Sequence, residues 1–176
     1  QRTVGKSVVP SPSKVAFEIR YNTLQIFKSV YRSYLLIGFI LLIVYIASIF
    51  GTPSDKRKKV LRITRNIFLG LGALLFIYHA TGLGFRWYIS GHAPWSNGYE
   101  AIVFIAWVTV IAGWVFLKKV EVVMPMALIL SAMMLFVSEL NLLDPEITPL
   151  VPVLKSYWLM IHVAIITGSY GFLGLS

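Results

Sequence analysis

Apolar residues form five long runs along the chain, separated by short polar or basic stretches. Each run has about 17–20 residues, and a helix of that length, rising about 1.5 Å per residue, crosses the roughly 30 Å hydrocarbon core of a membrane. The pattern therefore predicts an all-α, polytopic membrane helical bundle with about five transmembrane helices. The predicted spans cover residues 34–50, 67–85, 101–117, 122–138 and 157–176.

The residues before the first run have a different pattern. Pro10 and Pro12 indicate a linker, and apolar residues then recur near helical spacing over 15–32 with basic residues between them. Such a segment is typical of an amphipathic helix that lies on the membrane surface. We therefore divide the chain into a linker and interfacial helix over 1–33 and a transmembrane domain over 34–176. We expect this domain to be incomplete at its C-terminal end, because the last run has no flanking charge.

Composition agrees with a membrane protein and excludes several other classes. The chain is 57% hydrophobic and only 13% charged, whereas a soluble domain has about a quarter of its residues charged. The net charge of +9 does not indicate nucleic-acid binding, because six of the sixteen basic residues lie together at 56–65, between two apolar runs. The absence of cysteine excludes disulfides, thiolate metal sites and a covalent haem attachment motif.

The distribution of basic residues predicts the orientation of the bundle. Six lie between the first two runs, and Lys118 and Lys119 follow the third run, whereas the second connection holds only Arg86 and the fourth only Lys155. The positive-inside rule places the first and third connections in the cytoplasm. The other two connections, and the basic N-terminal segment, then face outward across the cell membrane. A long translocated domain upstream would explain basic residues on that side.

His162 is an ionisable residue inside the last apolar run. With Ser156 as the predicted N-cap, it lies about 8 Å below the outer boundary of the membrane, and it shares one helix face with Trp158, four residues earlier. Ionisable residues at such depth are costly to bury and mark candidate functional sites. A neutral imidazole is a suitable axial ligand for haem iron. A buried, hydrogen-bonded structural histidine is the alternative.

The second connection carries the other candidate residues. Its aromatic residues either anchor the protein at the lipid headgroups or form a platform for a flat, apolar ligand; they are Trp87, Tyr88, Trp95 and Tyr99. Asn97 and Glu100 have the spacing of an N-cap and the third helical residue, which predicts a capping interaction at the start of the third span. We expect His92 to be solvated or to contact a helix end, and His79 to make an interhelical hydrogen bond.

Two sequence motifs carry a family resemblance. The run Trp95-Ser-Asn97-Gly-Tyr-Glu100 resembles the Leu-Ser-Asn-x-Tyr-Glu segment of the CcsA/ResC proteins, and Ser156-Tyr-Trp158-Leu-Met-Ile-His162-Val resembles their Ser-Tyr-Trp-Leu-x-x-His-Val segment. These proteins handle haem in system II cytochrome c biogenesis. The resemblance covers roughly residues 67–176. Residues 18–27 resemble the junction in fused CcsBA proteins, in which a CcsB-like half with a large translocated domain comes first.

The resemblance implies a function and a set of ligand-binding residues. Haem b, held non-covalently at the outer face between two histidines, is presented for attachment to apocytochrome c. His162 matches the first of these histidines and is the expected axial ligand, with Trp158, Trp95, Asn97 and Glu100 as further cofactor-binding residues. The second histidine and a tryptophan-rich segment normally follow, and neither is present within 1–176.

The resemblance also implies what the whole protein does. We expect the parent protein to be a cytochrome c haem lyase with a CcsB/ResB-type partner half, fused upstream as in the CcsBA proteins. We expect this segment alone to be inactive, and we assign it no catalytic residue. The alternative function is that of a non-catalytic membrane subunit or transporter segment whose histidines are structural.

Overall fold

A computed structural model of the chain describes residues 12–50, 54–140 and 156–175. The regular structure of these residues is entirely helical, which confirms the predicted all-α class. Pro10 of the predicted linker and Lys155 of the fourth connection lie outside the described residues, whereas Pro12 is the first residue of α1. The helices are α1 (Pro12–Leu24), α2 (Ile26–Ile49), α3 (Asp55–Ser90), α4 (Gly98–Phe116), α5 (Val123–Glu139) and α6 (Tyr157–Leu173).

The first span begins earlier than its hydropathy predicts. We expected the amphipathic helix to continue to residue 32, but α1 ends at Leu24 and the chain turns at Gln25, whose φ of 39° is left-handed. The apolar stripe that we assigned to one surface helix is divided between α1 and α2: Tyr21 and Phe27 are buried, whereas Phe17 and Leu24 are exposed. α1 packs on α3, where the ring of Phe17 lies 5.2 Å from that of Phe85.

The cluster of basic residues at 56–65 is part of α3 and not of a loop, contrary to our expectation. Ser54 is the N-cap and Asp55 lies in the first turn, where a carboxylate is favourable. No proline or glycine interrupts the chain between this start and the apolar stretch, so the helix runs on without a break. Its 36 residues make it about 54 Å long, well beyond the hydrocarbon thickness.

Among the described residues, three helices are long and apolar enough to cross a membrane by length and composition: Val15–Ile49, Asp55–Ser90 and Gly98–Phe116. The first of these comprises most of α1 together with α2. α5 and α6 are apolar but shorter, with 17 residues each, so their crossing of the membrane stays a prediction. The chain is thus a multi-pass membrane helical bundle.

Small residues permit close helix packing. α2 packs on α5 at Gly38, where an added Cβ would lie 2.8 Å from a side-chain carbon of Ile129. α4 packs on α5 at Gly113 and on α6 at Gly171, where an added Cβ would lie 2.9 Å from the backbone nitrogen of Thr109. Packing of this kind is typical of membrane helices, which have little hydrophobic driving force for association in lipid.

The bundle has two chemically different ends. One end, here called the aromatic end, comprises the last turns of α3, the connection 91–97 and the first turns of α4 and α6. The opposite end, here called the basic end, comprises the last turns of α2, the first turns of α3 and the connection 117–122. The buried core between them includes Tyr34, Val103, Leu128 and Leu135.

Candidate functional site

The connection 91–97 at the aromatic end is a hydrogen-bonded turn. α3 ends at Gly91, which adopts a positive φ of 72° and whose N–H donates to the carbonyl oxygen of Trp87. The hydroxyl of Ser90 donates to the carbonyl oxygen of His92 at 2.9 Å. Glycine is suited to this position because it has no Cβ to oppose the left-handed conformation. The turn returns the chain to the start of α4 within a few residues.

His92 is buried within this turn, with 8% of its surface exposed. Its Nδ1 lies 3.2 Å from the carbonyl oxygen of Ala93 and 3.1 Å from the hydroxyl of Ser96. The prediction of a solvated His92 is therefore wrong. The alternative prediction, contact with a helix end, is closer, because Ser96 immediately precedes the N-cap of α4. Hydrogen bonding to the turn explains the burial of the ring.

Asn97 and Glu100 form the predicted helix start. The side-chain oxygen of Asn97, the N-cap of α4, accepts from the backbone N–H of Glu100 at 2.8 Å. A carboxylate oxygen of Glu100 accepts in turn from the backbone N–H of Ser96 at 3.0 Å. The capping interaction is confirmed, although the carboxylate reaches the residue before the N-cap and not the N-cap itself.

Glu100 also forms an ion pair with Arg86, which was not among the predicted site residues. The guanidinium of Arg86 on α3 donates to Oε1 of Glu100 at 3.2 Å, and both side chains are buried. Arg86 lies 4.8 Å from the centre of the Tyr99 ring and beside Tyr21 of α1. A signal was present in the sequence: a single arginine and a single glutamate flank one short connection, and charges embedded in membrane segments usually pair.

Trp95 joins the connection to α6. Its indole N–H donates to the backbone carbonyl of Met160 at 3.2 Å, and its ring packs 5.0 Å from that of Phe104 on α4. The four aromatic residues predicted at the membrane surface are thus divided, because Trp95 and Tyr99 are partly or fully buried while Trp87 and Tyr88 are exposed. Only the exposed pair is placed to meet lipid headgroups.

α6 presents His162 and Trp158 on one exposed face, as their spacing predicts. Trp158 is 79% exposed and Ile165, further along the same face, is 67% exposed. Ser156 is the N-cap of this helix, without a side-chain capping bond. The face that packs on α4 includes Gly168, so the face of His162 opens away from the neighbouring helix.

The candidate residues therefore form two groups. Asn97, Glu100 and Trp95 belong to one hydrogen-bonded unit in and beside the connection 91–97. His162 and Trp158 lie on the opposite side of α6 from Met160, because two residues along an α-helix correspond to a rotation of about 200°. The structure brings the members of each group together but does not bring the two groups face to face.

His79 lies in the core and does not make the predicted interhelical hydrogen bond. Its ring packs 5.6 Å from Phe27 and 5.9 Å from Tyr34, both on α2. It faces the backbone of Val103, but neither ring nitrogen has a partner with hydrogen-bond geometry within residues 12–50, 54–140 and 156–175. The ring of His79 is therefore held by aromatic packing on α2, with its contact to the α4 backbone short of hydrogen-bond geometry.

The donor set fits a prosthetic group with its own chelating ring better than a bare metal ion. Within the described parts of the chain, no three His, Cys, Asp or Glu side chains come together as a metal site. A haem iron needs only axial ligands from protein, and a single imidazole supplies one. His162 has an exposed ring and no hydrogen-bond partner among the residues described. The indole of Trp158 on the same face adds a flat apolar surface.

Comparison with known proteins identifies a family to which part of the chain is similar. The sequence profile of the family described as Cytochrome C assembly protein matches residues 95–176. Protein NrfI of Wolinella succinogenes is 39% identical over 171 residues, which cover 97% of this chain and 18% of that protein. Cytochrome c biogenesis protein CcsA of Mesostigma viride is 35% identical over 97 residues, covering 52% of this chain and 31% of the relative.

A second CcsA protein, from Prochlorococcus marinus strain MIT 9303, is 37% identical over 109 residues, which cover 58% of this chain and 34% of the relative. The chain therefore spans about a third of these two CcsA proteins and less than a fifth of NrfI. The family match begins at Trp95, and it includes both groups of candidate residues.

Proposed function

The chain belongs to the CcsA-type family of cytochrome c assembly proteins, and on this basis we propose that it holds haem at the outer face of the membrane for transfer to apocytochrome c. The observation that carries the proposal is the position of His162 on an exposed helix face, beside Trp158 and near the start of α6. No other described histidine is exposed, since His79 and His92 are both buried.

His162 would hold the haem iron as an axial ligand through a ring nitrogen. Its ring must be neutral to do so. Trp158 lies one turn toward the start of the helix, so its indole would cover part of the macrocycle. Bound haem supplies the vinyl groups that accept the apocytochrome thiols.

The residues of the connection 91–97 contribute by holding α6 in place. Trp95 is fixed by packing on Phe104 and reaches α6 through its bond to Met160. Asn97 and Glu100 fix the start of α4, on which that packing depends. We therefore assign Asn97, Glu100 and Trp95 a positioning role and keep direct haem contact for the face of α6.

The proposed role of this chain is to hold haem in one position and orientation. A ligand held in one orientation reacts with a second reactant without the entropy cost of a free encounter, and cofactor proteins supply mainly binding and orientation. The proposed partners of the whole protein are the membrane, apocytochrome c and a CcsB/ResB-type half. The proposed location is the cell membrane, with His162 toward the outside. We propose that haem ligation belongs to the whole protein, with this segment alone inactive.

Absorption spectroscopy tests the assignment of His162. The full-length protein, of which this chain is a segment, is purified from cells with ample haem as wild type and as the His162→Gly variant. We expect the Soret band of the wild type to be lost or shifted in the variant, since glycine removes the axial ligand and leaves space for a free imidazole. Added imidazole should then restore the band. Ile165→Gly is the matched control, because it places the same helix-weakening residue on the same exposed face.

Three results would contradict the proposal. An unchanged spectrum in His162→Gly would show that another group holds the iron. Equal loss in Ile165→Gly would show that the effect comes from a weakened helix and not from a lost ligand. A wild-type protein without any Soret band would favour the alternative function, a non-catalytic membrane subunit whose histidines are structural.

A further inference from the structure

A cavity of about 460 Å³ lies at the basic end, away from the candidate haem site. It is bounded by the last turns of α2, the first turns of α3 and the connection between α4 and α5. Its apolar wall includes Leu41, Val44 and Leu69, and Met124 of α5 closes its inner side. The volume is in the range of pockets that hold small ligands. Nothing in the proposed handling of haem at the aromatic end uses it.

Four cationic side chains and one carboxylate line the cavity. Arg65 and Glu121 form an ion pair with 2.6 Å between nitrogen and oxygen, which neutralises both charges. The other three cations, Lys58, Arg62 and Lys118, line the same cavity and make no ion pair with any carboxylate of the described residues. The cavity therefore combines an apolar wall with three unneutralised positive charges.

The position of these charges along α3 matches the level of lipid headgroups. α3 is about 54 Å long, and its apolar stretch begins near Ile67, so the turns that carry Lys58 and Arg62 extend past the hydrocarbon. The positive-inside rule predicts that this end faces the cytoplasm, where basic pockets between transmembrane helices bind anionic headgroups. The wall of Leu41 and Leu69 lies further along the helices, toward the hydrocarbon.

We propose that this cavity binds an anionic phospholipid, with the phosphate held by Lys58, Arg62 and Lys118 and an acyl chain against the wall of α2 and α3. Free phosphate would leave the apolar wall exposed, and a zwitterionic lipid would bring a cation to a site that already holds three. An anionic lipid satisfies both parts of the cavity. The site joins α2, α3 and the connection between α4 and α5, so the lipid stabilises the basic end.

Native mass spectrometry of the purified protein in detergent tests the proposal. Phosphatidylglycerol and phosphatidylcholine with the same acyl chains are titrated separately. We expect phosphatidylglycerol to bind more tightly, and we expect the Lys58→Gln/Arg62→Gln/Lys118→Gln variant to lose affinity at least about fivefold, since one cation near an anionic headgroup contributes about that factor. The control Lys56→Gln/Lys59→Gln/Lys119→Gln removes the same charge from residues outside the cavity lining and should bind as the wild type.

A second variant separates lipid binding from folding. Glu121→Gln releases Arg65 from its ion pair and should increase phosphatidylglycerol affinity, an effect that misfolding does not produce. Equal binding of the two lipids would overturn the proposal, and so would equal losses in the two triple variants. Displacement of phosphatidylglycerol by ferric haem at an equimolar ratio would also overturn it, because the cavity would then be a haem site.

Discussion

The guanidinium of Arg86 and the carboxylate of Glu100 lie 3.2 Å apart, and neither side chain is more than 2% exposed. Arg86 is in the last turns of α3 and Glu100 is in the first turn of α4. The pair therefore spans the connection that carries Trp95, and Trp95 in turn contacts α6. A buried ion pair adds little net stability relative to apolar residues, but loss of one member is costly.

Removal of one member of the pair should destabilise the aromatic end. In Glu100→Gln the Arg86 charge stays buried without its carboxylate, and we expect a loss of about 3–5 kcal/mol in the free energy of unfolding. The measurement is the thermal unfolding midpoint of the purified protein in detergent. Arg65→Gln is the control, because its pair with Glu121 is partly exposed and should contribute at most about 1 kcal/mol.

The double variant Arg86→Gln/Glu100→Gln tests whether the buried Arg86 charge causes the destabilisation. It removes both charges, so it should be more stable than Glu100→Gln alone if the cost comes from an uncompensated charge. Equal destabilisation of the single and double variants would instead show that the buried Arg86 charge is not the source of the cost.

Loss of the Asn97 cap should be measurable as a loss of stability. Asn97→Ala removes the acceptor for the Glu100 N–H, and we expect a loss of about 1 kcal/mol. Asn97→Asp keeps the acceptor and should retain nearly full stability. A Soret band that is lost in Asn97→Asp while the unfolding midpoint is unchanged would contradict the positioning role and point to direct haem contact.

Close packing at Gly171 should control the position of α6. An added Cβ would lie 2.9 Å from the backbone nitrogen of Thr109, so Gly171→Ala must displace α6 from α4. We expect a loss of about 1–3 kcal/mol, read as a lower thermal unfolding midpoint. Gly70→Ala is the control, since an added Cβ there meets no atom within 4 Å and should be neutral or slightly stabilising.

The absence of cysteine makes the predicted orientation directly testable. Ser156→Cys at the aromatic end and Lys59→Cys at the basic end each introduce a single exposed thiol. A membrane-impermeant maleimide applied to intact cells or spheroplasts should label Ser156→Cys and should label Lys59→Cys only after permeabilisation. The reverse labelling pattern would place His162 on the cytoplasmic side and remove the basis for haem presentation to an exported cytochrome.

Part of this protein follows from the sequence alone. The long apolar runs predict membrane helices, because a bilayer leaves a polar backbone few other ways to satisfy its hydrogen bonds. The spacing of Asn97 and Glu100 predicts the start of α4, since capping depends on neighbouring residues. The common face of Trp158 and His162 follows from helix periodicity. These are all local properties of the chain, and they include the motifs through which the family was identified.

Only the tertiary structure decided which residues meet across the helices. The pairing of Arg86 with Glu100 and the division of the aromatic residues into packed and exposed pairs depend on contacts between helices. The start of α2 at Ile26 also depends on contacts between helices. The first turns of α2 bury their apolar residues against α3 and α5, and this packing outweighs the polar residues that alternate with them in the sequence. Hydropathy averages over such contacts, and periodicity describes one helix at a time, so neither indicates which neighbour a helix face will meet.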